Sequence, residues 1–165
     1  MTTLGNTAIL DNLTVNSEFS SKKKIFSINA ALNLSTSINT ALSYSGSIIM
    51  LDASIEAFAI TLPTATTAVE AAQLLGWHAT FVLLTPDSGN SNDITIVRGD
   101  TGNDEINKWG IHVVDGATGD GLTISSNVIT FDASGGDVSG DHVDIVCYSA
   151  SASATKYGSK AFITS

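Results

Sequence analysis

Short runs of β-branched and aromatic residues, separated by turn formers, recur along this chain at spacings near ten residues. Residues 25–34 alternate apolar and polar side chains, and a period of two is typical of a half-buried strand. Glycine, asparagine and aspartate supply most breaks, because only Pro63 and Pro86 are prolines. This pattern predicts an all-β, mainly antiparallel fold, either a β-sandwich or a flattened β-barrel.

The segments that we predict to be strands are 25–34, 46–52, 57–62, 77–84, 94–97, 111–114, 121–124, 128–131, 143–148 and 161–164. Pro63 ends one of them, since proline offers no N–H to a strand ladder. We also expect residues 94–97 to pair back on 77–84 as a hairpin.

One short helix is predicted over residues 68–75. Thr67 can cap its first turn, and Glu70 lies three residues further on, which is the spacing of a capping box. Gly76 can take the left-handed conformation that closes a helix.

The length of 165 residues fits one domain, and 43% apolar with 14% charged residues is too apolar for a disordered chain. We place that domain at residues 25–165. Residues 1–24 lack a regular apolar period, and we expect them to form an extended N-terminal arm that packs on another subunit.

The formal net charge is −9, and the acids are concentrated after residue 50. An acidic body repels phosphate backbones and anionic membranes, so nucleic acid and membrane partners are not expected. The run Lys22–Lys24 is interpreted as a solvated turn, although it could touch an acidic neighbour.

Residues that could support catalysis or bind a metal are few and scattered along the sequence. No nucleophile elbow, phosphate-binding loop or metal-spaced pair is present, and His78, His112 and His142 lie far apart in sequence. Cys147 sits in an apolar run and is interpreted as a buried small residue. We therefore expect no enzyme activity, no catalytic residues and no cofactor. The start of the chain does not resemble a signal peptide, so synthesis in a reducing cytosol is expected.

Acid-rich and glycine-rich turns offer oxygen ligands at 100–105, 115–120 and 132–144. None completes a calcium loop, and aspartate in turns commonly bonds its own backbone, so no metal site is expected. The larger aromatic residues are dispersed in sequence and are interpreted as core or interface residues: Tyr44, Trp77, Trp109, Tyr148 and Tyr157.

A more specific order of motifs runs through residues 44–165. A strand ending in Leu62-Pro63 leads through a short segment to Gly76 and a second strand, and Gly140-Asp141 introduces the closing strands. This order resembles small β-domains of tailed-bacteriophage virions, especially decoration proteins and fibre-associated domains of marine and cyanobacterial phages. The segments that carry the resemblance are 46–52, 59–63, 76–83, 94–97, 128–131 and 140–146.

The resemblance implies a capsid decoration, or cement, protein on the exterior of the phage head. Such proteins bind the major capsid protein as homodimers or homotrimers and hold neighbouring subunits together against internal DNA pressure. The alternative is a receptor-binding, adhesin-like or lectin-like domain of a tail fibre. A third class, a carbohydrate-active or calcium-dependent module, would need paired carboxylates on facing strands for hydrolysis.

Overall fold

The computed structural model describes residues 24–87, 89, 91–100, 102–113, 122–125, 127–133 and 138–163, without the side chains of residues 112 and 113. The predicted arm, apart from Lys24, lies outside the described residues. In chain order the elements are β1 (Ile25–Ile28), β2 (Leu32–Asn33), α1 (Ile38–Tyr44), β3 (Ser47–Asp52), β4 (Phe58–Thr61), α2 (Ala68–Leu74), β5 (His78–Thr85), β6 (Ile94–Val97), β7 (Glu105–Val113), β8 (Leu122–Ile124), β9 (Val128–Phe131), β10 (His142–Ser151) and β11 (Ala154–Ile163).

The fold is β-rich, as predicted, and its strands form two sheets. The six-stranded sheet has the order β1-β3-β5-β10-β11-β7, and the five-stranded sheet has the order β2-β4-β6-β9-β8. Both sheets are mixed. β1, β3 and β5 run parallel, as do β2, β4 and β6, and β7 runs parallel to β11. Antiparallel pairs join β5 to β10, β10 to β11, β6 to β9 and β8 to β9.

The expectation of mainly antiparallel strands was therefore wrong, and the chain path explains why. From β1 to β8, consecutive strands lie alternately in the six-stranded and the five-stranded sheet. From β1 to β4, each strand therefore pairs with the strand two places later along the chain. Between those two strands the chain passes through the other sheet and returns in the same direction, which makes the pair parallel. The predicted hairpin between residues 77–84 and 94–97 is likewise wrong, because β5 and β6 belong to different sheets.

One hydrophobic core collects side chains from both sheets. Ile49 and Phe81 of the six-stranded sheet and Ile60, Ile96 and Phe131 of the five-stranded sheet have no exposed surface. Burying one such side chain contributes about 1.5–3 kcal/mol. Along β3 and β5 buried and less buried residues alternate, so every second side chain points away from this core.

Two core aromatics carry polar tips that are satisfied by backbone carbonyls. The Nε1–H of Trp77 donates to the carbonyl of Ala41 at 2.7 Å, and the hydroxyl of Tyr157 donates to the carbonyl of Pro63 at 2.5 Å. Their rings meet edge to face with centroids 6.0 Å apart. These bonds tie α1 and the end of β4 to the core, where unpaired polar tips would be costly.

The predicted helix is confirmed as α2, with its caps. Thr67 accepts a hydrogen bond from the backbone N–H of Glu70 at 3.2 Å, and the Glu70 carboxylate accepts from the N–H of Thr66 at 2.8 Å. Gly76 follows with a φ of 83°. A second helix, α1, was not predicted. It begins after Ser37, whose hydroxyl accepts from the N–H of Thr40 at 3.1 Å.

Candidate functional site

Trp109 is the most exposed aromatic residue in the described part of the fold, with 58% of its surface accessible. It lies in β7 at an irregularity in the pairing with β11, where Ser159 faces Lys108 but Lys160 faces Gly110. An extra residue of this kind re-aims a side chain and is often found beside functional sites. Here it accompanies an indole that lies across β11 rather than beside it.

Gly158 provides the space for that indole. A Cβ added to Gly158 would come within 2.1 Å of Cε2 and Cζ2 of Trp109, so any other residue there would displace the ring. Glycine in the middle of a strand commonly marks such a close approach. The pairing irregularity and the glycine, about fifty residues apart in sequence, together create one aromatic platform.

Tyr148 of β10 packs against the far side of this platform. The Trp109 and Tyr148 ring centroids are 5.4 Å apart with an interplanar angle of 43°. The Nδ2 of Asn107 donates to the Tyr148 hydroxyl at 2.9 Å, which fixes the tyrosine relative to β7. Tyr148 is itself 42% exposed. Two large aromatic rings are thus held in the open on a sheet.

A shallow pocket of about 280 Å³ opens beside the indole, on the side of the six-stranded sheet that faces away from the core. The residues that line it include His78, Thr80, Trp109, Asp144, Val146, Gly158 and Lys160. We call this set, together with Tyr148, the Trp109 face.

The polar groups of the Trp109 face are ordered by the strand register. Asp144 of β10 faces Thr80 of β5 on one side and Lys160 of β11 on the other. The Thr80 hydroxyl donates to Oδ1 of Asp144 at 2.6 Å. Nζ of Lys160 lies 4.8 Å from the centre of the Phe162 ring, a cation–π distance. An acidic and a basic residue therefore lie side by side in the lining of the pocket.

An ion pair borders the Trp109 face. Nζ of Lys156 lies 3.0 Å from Oε2 of Glu105, across the β11–β7 pairing. The hydrogen bond and the charge of Lys156 lower the pKa of Glu105, and the same contact raises the pKa of Lys156. Both side chains are roughly half exposed, so the pair contributes little stability but keeps opposite charges together beside Asn107.

The two histidines whose side chains are described, His78 and His142, lie at the starts of different strands. His78 and His142 each begin a strand, β5 and β10, and each places Nδ1 near the carbonyl two residues earlier, at 3.1 Å from Gly76 and 3.0 Å from Gly140. His142 also stacks on Phe162, with ring centroids 4.6 Å apart. The side chain of His112 lies outside the described residues. Of the two histidines with described side chains, His78 borders the pocket, which the sequence did not predict.

The acidic turn at residues 100–105 is structural. The buried carboxylate of Asp104 accepts from the backbone N–H of Thr155 at 2.6 Å and from that of Asp100 at 2.9 Å. Asp100 in turn accepts from the N–H of Gly102 at 2.8 Å. The interpretation as turn chemistry is confirmed here. Residues 115–120 and 134–137 lie outside the described residues, and among those described no three His, Cys, Asp or Glu side chains converge as a metal site.

The remaining predicted residues divide into core and surface. Cys147 is buried, as predicted, and burial raises its pKa to about 11, which keeps the thiol protonated at neutral pH. Trp77 and Tyr157 are core residues, and Tyr44 is half-buried against Phe26. Trp109 and Tyr148, although dispersed in sequence, contact each other across β11, which lies between β7 and β10.

No protein-family profile, curated protein sequence or solved structure matches the chain. None of the helices in the described ranges has the length and apolar character needed to span a bilayer.

Proposed function

We propose that this chain is a non-enzymatic structural protein of a phage virion, a decoration protein that binds the outside of the head through its Trp109 face. The supporting observation is the pairing of two exposed aromatic rings, Trp109 and Tyr148, on a hydrogen-bonded sheet. Tryptophan and tyrosine dominate the energetics of protein interfaces, because they bury a large area at a small entropic cost.

The surroundings of the two rings have the composition of an interface. The Lys156–Glu105 pair and Asn107 adjoin the aromatic patch as a polar rim, which at a docked interface would remain partly hydrated. We further propose that the two mixed sheets form the two layers of a flattened sandwich. One layer would then present the Trp109 face to the major capsid protein, and the other would remain available for contacts between copies of this chain.

Self-association as a dimer or trimer, with residues 1–24 reaching a neighbouring subunit, is part of the same proposal. A repeated capsid lattice binds such an oligomer at several points at once, and linked binding events strengthen one another. Deleting residues 1–24 should leave the domain folded and weaken assembly. A truncated chain that unfolds, with a full-length chain that is monomeric, would assign these residues to the core instead.

The decisive experiment adds purified protein to capsids that lack it. We expect the wild-type chain to bind and to raise the temperature at which the capsids release DNA, because a ligand stabilises the state that it binds. Trp109→Ala should weaken capsid binding at least about tenfold, as loss of a central aromatic anchor does. Val69→Ala, which removes an equally exposed apolar side chain from α2, is the matched control and should bind normally.

A second function, receptor binding at a phage tail, is favoured by the concavity beside Trp109. A flat protein contact does not require a pocket, whereas a small-ligand site is concave with a few polar groups in its lining, here Asp144 and Lys160. Tight binding to host cells, combined with no effect on capsid stability, would favour this second function over decoration.

A further inference from the structure

We infer that the pocket beside Trp109 binds one neutral hexopyranose ring of a glycan. The inference rests on the proposal that this chain works by binding through its Trp109 face, and it deepens the receptor-binding form of that proposal. The inference is tested on the purified protein alone. It can therefore be wrong while the proposal that the chain is a virion protein is right.

The first argument is the exposed indole that lines the pocket. The ring of Trp109 lies on Gly158 and beside Tyr148, yet more than half of the residue remains accessible. A pyranose ring has one face of C–H groups, and these weakly positive hydrogens pack on the negative face of an aromatic ring. Because the indole is already held in place, binding would cost little side-chain entropy.

The second argument is the pair of opposite charges among the residues that line the pocket. Asp144 and Lys160 are direct neighbours across β10 and β11, and both side chains are exposed. A cationic ligand would be attracted by Asp144 and repelled by Lys160, and an anionic ligand would meet the reverse. A neutral ring with several hydroxyls suits both, since it can donate to the carboxylate and accept from the ammonium group.

The orientation of the acceptor is also fixed. The Thr80 hydroxyl donates a hydrogen bond to Oδ1 of Asp144 at 2.6 Å. A carboxylate offers about four lone-pair sites, so this bond leaves capacity to accept from ligand hydroxyls. Thr80, Asp144 and Lys160 therefore form a short polar row next to an apolar floor of Val146 and Gly158.

The size of the pocket sets the size of the ligand. Its volume of about 280 Å³ lies just below the range common for small-molecule sites, and its open side faces solvent. It fits one ring while the rest of a glycan extends outward. A ligand of this size with few direct bonds should bind with a Kd on the order of 1 mM.

The two tryptophans provide a reporter and an internal reference. The probes are the methyl glycosides of glucose, galactose and mannose, and the observable is the pair of indole N–H signals in a ¹⁵N-correlated NMR spectrum. With at least one glycoside at about 10 mM, roughly tenfold above the expected Kd, the Trp109 signal should shift. The Trp77 signal should not, since its N–H donates to Ala41 inside the core.

Paired variants separate binding from folding. Trp109→Ala should abolish the saturation-transfer signal of the glycoside, and Gly158→Ala should weaken binding at least about fivefold by lifting the indole. Gly110→Ala is the matched control: it lies beside Trp109 in the same strand, and an added Cβ there meets nothing within 4 Å. It should bind the glycoside as the wild-type chain does.

Two outcomes would overturn the inference. If none of the three glycosides moves the Trp109 signal, the pocket is not a hexopyranose site. If N-acetyl-arginine amide moves it at lower concentration than any glycoside, the site receives a basic side chain of a protein partner. Either result would leave the capsid-binding proposal to its own assay, in which normal capsid binding by Trp109→Ala would show that the chain does not bind capsids through the Trp109 face.

Discussion

The indole of Trp109 lies so close to Gly158 that a single methyl group on the glycine would overlap it, at 2.1 Å from two ring carbons. Trp109 is largely exposed, so its indole is held in place by its contacts with Gly158 and Tyr148 and not by burial. The contact between Trp109 and Gly158 thus connects the pairing irregularity in β7 to a candidate binding surface that includes residues of β7, β10 and β11.

Substitutions at both positions should be strongly non-additive. Gly158→Ala alone should destabilise the fold by about 1–3 kcal/mol, the usual cost of overpacking. In a Trp109→Ala background the same change should cost less than about 0.5 kcal/mol, because the obstructing ring is gone. Urea unfolding of the four proteins gives the coupling free energy. Equal costs in both backgrounds would mean that the indole does not rest on Gly158.

Asp104 should be the most sensitive carboxylate among those described. Asp104→Asn replaces one of two acceptor oxygens by an NH₂ group that must face a backbone N–H, either that of Thr155 or that of Asp100. Leaving a buried donor unpaired costs about 2–3 kcal/mol. Asp144→Asn, an exposed carboxylate that accepts from Thr80, serves as control and should cost below about 1 kcal/mol. Similar losses in urea unfolding would contradict this role for Asp104.

The sequence predicted the elements that are specified locally. β6 and β9 begin and end at the predicted residues, and α2 is capped by Thr67 as its spacing indicated. α1 was missed because Ile38–Tyr44 is rich in β-branched and hydroxyl-bearing residues, which are poor helix formers. Tertiary contacts, including the bond from Trp77 to Ala41, support it instead.

The parallel pairing and the Trp109 face could not be derived from local pattern. Each parallel pair depends on a return through the other sheet, and alternation of side chains does not encode strand direction. Trp109 and Tyr148 meet across β11 because the indole lies over Gly158, and the order β10-β11-β7 is fixed by long-range pairing. Gly158 lies outside the predicted strands, the last of which began at residue 161, so its place within β11, where a glycine commonly marks a close neighbour, was missed as well.

Cys147 should be unreactive in the folded protein. Burial raises its pKa to about 11, so at pH 8 almost no thiolate is present to attack a disulfide reagent. The rate of labelling with a chromogenic aromatic disulfide should therefore follow global unfolding and rise together with the loss of tertiary signal in urea. Rapid labelling under native conditions would show that β10 opens locally without unfolding the rest.

Acid should destabilise the protein partly through Asp87. Its carboxylate accepts from the backbone N–H groups of Gly89 and Ser91, both at 2.9 Å, and from that of Asn92 at 3.1 Å. These bonds, that from Gly89 foremost, lower the pKa of Asp87 below its ordinary value. A group with a lowered pKa in the folded state stabilises the fold above the unfolded-state pKa and loses that contribution as the pH falls.

The decline should begin near pH 4, close to the ordinary pKa of about 3.9 for aspartate, and continue as the pH falls through the lower folded-state value. Asp87→Asn should reduce stability at pH 7 and flatten the acid limb of the curve, since its amide does not titrate. Glu56→Gln removes one exposed carboxylate elsewhere and should leave both features unchanged. Melting temperatures measured from pH 2 to pH 7 test this, and an acid limb equally steep in Asp87→Asn would show that other carboxylates govern it.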